Sequence, residues 1–282
     1  MNLSHRFVYD IDYRYQSCTW RALRSAPLNS TGEAILFIHP ANLSSDAWRP
    51  VMELLPDGDL LLAPDLRGHA TSEDRGALSV TQWADDCMAF LDIMGVTAVH
   101  LVGASVGAAV AVELATRREC NTLSLTTFGG AFLPDSEADP DLGCHPDDSV
   151  DTLRNRMVDH ALPGHSSAHT REMVLDAMTG NSVPAIKAIW RAALQTDVRP
   201  LVKKFDIPCC VVVGGLDKTC PPEESRWFAA QVGADLIQLD EIGHLPMLEA
   251  PETAAALVAK TSHLSRAETA PRNNHQHRQG RS

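Results

Sequence analysis

From residue 34 onward the chain repeats one alternation. Short apolar runs rich in Val, Ile and Leu occur at 34–38, 60–63, 99–103, 123–128, 209–215 and 235–239. Amphipathic stretches at 80–94, 105–118, 222–232 and 252–262 separate most of them. Continuous apolar runs of strand length mark strands buried on both faces, and their alternation with helices predicts a mostly parallel sheet covered on both sides. The first 25 residues differ: "RFVYDIDYRY" and "CTWRAL" alternate apolar and polar positions, which predicts two antiparallel strands with one wet face.

Between "LSLTTFGG" and "FDIPCCVVVGG" no strand pattern occurs. Helical stretches near 149–162, 168–179 and 183–196 fill the gap, too much chain for a loop. The expected organisation is therefore a core of residues 1–130 and 201–262 with a helical cap inserted at 131–200. Residues 263–282 are polar and aperiodic, and are expected to be a disordered tail.

Composition narrows the function. The 282 residues carry 24 basic and 36 acidic side chains, a net charge of −12, which argues against a nucleic-acid partner. No apolar stretch reaches the roughly 18–20 residues that span a bilayer, so no membrane partner is expected. The N-terminus has no apolar signal core, and seven cysteines without a CxxC spacing suit a reducing cytoplasm. Whether the chain forms a homo-oligomer is open.

The candidate chemistry lies at strand ends. Gly103-Ala-Ser105-Val-Gly107 falls between a strand and a helix, where a sharp turn strains a serine and leaves room only for small flanking residues. A serine hydroxyl needs a base, and the base needs a carboxylate to orient it. Asp217 follows the 209–215 run, and His244 follows the 235–239 run in "IQLDEIGHLPMLEAPE". Open parallel sheets place their sites just beyond the carboxyl ends of strands. Asp240 and Glu241, directly before the His244 loop, are expected to be solvated turn residues.

On "HPANLSSDAW", "PDLRGHATS", "GASVGA", "GGLDKTCPP" and "GHLPMLEAPE", over residues 20 to 262, the chain resembles the α/β-hydrolase fold family. It is most similar to the cap-bearing esterases, enol-lactonases and C–C bond hydrolases. The resemblance implies Ser105 as nucleophile, His244 as base and then acid, and Asp217 as its partner, with no cofactor and no metal. It implies cleavage of a small carboxylic ester or lactone. C–C cleavage or acyl transfer with the same triad, and a ligand receptor on a hydrolase fold, are the alternatives. One oxyanion donor is the Val106 N–H. The family's second donor follows a histidine and usually a glycine, but here the loop reads His39-Pro40-Ala41. Proline has no N–H, so the resemblance shifts the donor to Ala41. His39 is expected to hold this loop rather than to transfer protons, and the Asp65, Arg67, His69 turn is assigned no chemistry. His145, His160, His165 and His169 lack metal-ligand spacing, and the apolar residues from Met173 to Leu194 are expected chiefly to pack the cap on the core.

Overall fold

The computed structural model describes residues 6–25, 32–70, 72, 76–145, 147–178, 180–202 and 205–269, with backbone alone for 264–269. Two antiparallel strands open the chain, β1 (Val8–Tyr15) and β2 (Cys18–Ser25). Next come β3 (Glu33–Ile38), α1 (Arg49–Leu54), β4 (Leu60–Pro64), α2 (Val80–Ile93), β5 (Ala98–Ala104), α3 (Val106–Thr116) and β6 (Thr122–Phe128). Three helices follow without an intervening strand: α4 (Val150–Ala161), α5 (Ala168–Ala177) and α6 (Val183–Leu194). The chain then completes β7 (Cys209–Gly214), α7 (Pro222–Val232), β8 (Asp235–Leu239), α8 (Pro246–Glu249) and α9 (Pro251–Thr269).

The described strands form one sheet in the order β1-β2-β4-β3-β5-β6-β7-β8, parallel from β4 through β8. β3, β4 and the ends of β5 and β6 are buried because helices cover both faces, which is why they read as unbroken apolar runs. Helix α3 is buried from Val106 to Leu114, packed against β5, β6 and α2, so it has no polar stripe. Ser79, Ser149, Ser167 and Ser182 cap α2, α4, α5 and α6, each hydroxyl accepting a backbone N–H three residues on.

The sheet order reverses direction between β3 and β5. The loops after these two strands therefore diverge and open a crevice at the carboxyl edge, the place where such sheets hold ligands. One boundary differs from expectation. Helix α9 runs past residue 262 to Thr269, because "LSRAET" consists largely of helix formers that need no apolar face once a buried first half is anchored. The rest of the expected tail, 270–282, lies outside the described residues. Among the described residues no helix is long and apolar enough to cross a membrane.

Candidate active site

Ser105 joins β5 to α3 with φ 53° and ψ −126°, a conformation that costs a non-glycine residue about 1–3 kcal/mol. Its surroundings enforce it. The Ser105 N–H donates to Phe128 O at 3.1 Å, and its carbonyl accepts the N–H groups of Ala108 and Ala131, each at 3.0 Å. A methyl group on Gly103 would run into the backbone of Gly107, and one on Gly107 into the carbonyls of Ile38 and His39. The two glycines are thus required by close approach of backbones, and G-x-S-x-G is here a steric specification. Val106 opens α3, so its N–H is among those with no acceptor within the helix.

Asp217 sits just past β7, and its side chain is fully buried. One carboxylate oxygen, Oδ1, accepts the N–H groups of Thr219 and Cys220 at 2.9 Å each. The other, Oδ2, lies 2.9 Å from His244 Nδ1. That pairing sets the Nδ1–H tautomer and leaves Nε2 as the basic nitrogen. Asp240 and Glu241 are exposed, as solvated turn residues should be.

The backbone around His244 is clamped on both sides. Gly243 and Leu245 donate their N–H groups to the two oxygens of Glu249 at 2.9 Å each, while the His244 N–H donates to Ala161 O at 2.9 Å. Burial pushes the Glu249 carboxyl above its usual range, and the two N–H bonds oppose that rise. Sequence reasoning missed Glu249; its only signal was an acid at the end of a short Pro-started turn. It also missed Gly129, which has φ +49°. A methyl there would lie 2.8 Å from Asp217 Oδ2 and 3.4 Å from His244 Nδ1, so glycine leaves space for the pair.

On the other side of the crevice, His39 is completely buried. Its Nε2 accepts the Leu66 N–H at 2.9 Å, so Nδ1 carries the proton and donates to Pro40 O at 2.8 Å. Burial pulls its pKa down to about 4, against the raising effect of the Pro40 bond. His39 is a neutral pin with both nitrogens engaged in loop backbone. The neighbouring turn is likewise structural: Asp65 accepts the Ser45 N–H at 2.7 Å, and Arg67 forms a buried two-pronged pair with Asp86.

These elements border one cavity of about 300 Å³. Ser105, His244, Pro40 and Ala41 form its floor, and its walls are mostly apolar side chains from the inserted helices. Met157, Val158, Val174, Met178 and Trp190 all face it. The expected packing role of the Met173–Leu194 set is therefore divided. Ile186 and Ile189 are buried as packing residues, Trp190 is a pocket wall, and Met178, just past the end of α5, is both a core residue and a pocket wall. A helix turned between core and crevice presents both kinds of residue, and periodicity alone does not separate them. His160 also lines the cavity, held below its usual pKa by burial and then by nearby His244. His165 instead reaches Glu241 O at 3.2 Å. No grouping of three or more metal-ligating side chains occurs among the described residues.

A model of the alpha/beta hydrolase family matches residues 35–257. A pimeloyl-[acyl-carrier protein] methyl ester esterase from Aromatoleum aromaticum is 28% identical over 247 residues, 79% of this chain and 96% of that protein. One from Neisseria meningitidis is 26% identical over 240 residues, covering 79% and 91%. Among solved structures, the enol-lactonase from Burkholderia xenovorans aligns with a TM-score of 0.79 at 18% identity, covering 89% of this chain and 99% of that one. A thermophilic esterase from Thermogutta terrifontis aligns at 0.74 and 20% identity, covering 92% and 99%.

Proposed function

The chain belongs to the α/β-hydrolase family, and we propose that it is a carboxylic ester hydrolase acting through an acyl-enzyme on Ser105. The observation that carries this reading is the meeting of a strained serine and a buried Asp217–His244 pair at one apolar cavity. The esterase names of the relatives support the same bond type.

In this reading His244 Nε2 takes the Ser105 proton as the hydroxyl oxygen attacks the ester carbonyl. The charge that forms on the carbonyl oxygen is met by the N–H groups of Ala41 and Val106, each worth about 10²–10³ in rate. Asp217 holds the imidazole and stabilises it while it is charged. His244 then protonates the leaving alcohol, and a water activated by the same nitrogen releases the acid. Inserted helices α4–α6 act as a cap that supplies the acyl pocket. A lactone ring is an internal ester and would follow the same steps.

The cavity bounds the substrate. It measures about 300 Å³ and is lined mostly by apolar side chains. That suits a short to medium acyl chain, and each methylene buried adds about 0.8 kcal/mol. A fluorophosphonate probe should label Ser105 and Ser105→Ala should lose both labelling and ester turnover. Ester hydrolysis retained by Ser105→Ala at the wild-type rate would sink the reading.

A further inference from the structure

The loop that carries Ala41 is tied to the inserted helices as well as to the sheet. Ser44 donates to Ala177 O twice, from its N–H at 2.8 Å and from its hydroxyl at 2.9 Å. Asn42, the residue after Ala41, donates from Nδ2 to Ile186 O at 3.2 Å. Asn42 is 2% exposed and has φ +61°. Asparagine tolerates this left-handed backbone, but glycine would take it more readily. The side chain therefore needs a reason of its own.

Its contacts supply one. Among the described residues Asn42 Oδ1 has no hydrogen-bond partner, so the carboxamide is held by its donor end alone. Reversing the amide would set two oxygens against each other, which fixes its orientation. Ile186 and Trp190 are one turn apart on α6, and Trp190 is a wall of the cavity. The carboxamide thus joins the helix that walls the pocket to the residue next to the oxyanion donor.

We propose that Asn42 is a positioning residue, whose bond to α6 holds the Ala41 N–H where the oxyanion forms. Pocket wall and oxyanion loop then behave as one unit. The proposal rests on the serine-hydrolase reading above. Its effect should fall on the transition state, because a donor displaced by about 1 Å can cost about 100-fold in rate while ground-state binding against apolar walls is unchanged.

Asn42→Gly keeps the backbone conformation and deletes the tether. Asn42→Asp keeps the size and puts an oxygen against the Ile186 carbonyl. For each, kcat and KM on a p-nitrophenyl ester, inhibition by a trifluoromethyl ketone and the melting temperature are measured. The expected result is a kcat lower by about 10- to 100-fold with KM within about threefold. The ketone, whose adduct places an oxyanion in the same position, weakens in step with kcat. If Asn42→Gly fails to fold, Asn42→Asp carries the same comparison. A lower melting temperature with wild-type kcat and ketone affinity would mark Asn42 as merely structural and overturn the proposal. A wild-type protein that takes no fluorophosphonate and cleaves no ester overturns instead the reading on which it rests.

Discussion

Replacing His39 by glutamine tests the pin beneath the loop that carries Ala41. At pH 7 the variant leaves the Leu66 N–H, the Pro40 carbonyl or both without their buried partner, at a cost of about 1–3 kcal/mol for each group left bare. Acid should then narrow the gap between variant and wild type. His39 in the folded protein titrates at about 4, below its usual 6.5, because burial disfavours the charged ring. The unfolded chain therefore takes up the proton first. The stability linked to His39 is fully present above pH 6.5 and is lost as pH falls towards and through 4. Between pH 7 and 5 the loss is about 2 kcal/mol, from about 1.4 kcal/mol per pH unit over the ~1.5 units below 6.5. Glutamine does not titrate, so the variant is spared this loss; His69 beside it is pulled down to about 3 first by burial and only then by His39, so it stays neutral in both folded proteins over this range. Urea unfolding of both at pH 7 and pH 5, extrapolated to water, measures the two gaps. A stability difference that stays the same at both pH values would refute a buried, neutral His39.

Two further substitutions probe the site's geometry. Gly129→Ala should push Asp217 Oδ2 away from the added methyl, which would start 2.8 Å from it, and force an unfavourable φ. A fall in kcat/KM of about 100-fold is expected, and full activity on the same ester would count against the Asp217–His244 pairing. Trp190→Ala should enlarge the cavity and move the optimum of a p-nitrophenyl ester series to longer chains, each added methylene gaining up to about 0.8 kcal/mol; an unmoved optimum would remove Trp190 from the proposed acyl wall.

The layered sheet, the strained serine turn and the helix-rich insertion were legible in the sequence because each has a local cause. Apolar runs mark doubly covered strands, and Gly103 and Gly107 mark a turn without room for side chains. Asp217 and His244 were legible because each follows a strand end. Ala41 rested on family resemblance and on the missing N–H of Pro40. What tertiary structure alone decided are contacts between residues far apart in the chain. Gly129 clears space for an acid 88 positions later, and Asn42 reaches Ile186 across 144 positions, whereas Glu249 grips N–H groups only four and six residues away, a local contact that still follows no periodic pattern. A side chain bonding a remote carbonyl leaves no periodicity, since its partner is backbone that any residue could provide. On α6, Trp190 on one hand, and Ile186 and Ile189 on the other, make the same point for the pocket. Their spacing says that a helix has a buried side, and only the packing of that helix over the crevice decides which apolar residues touch the core and which are left to touch a substrate.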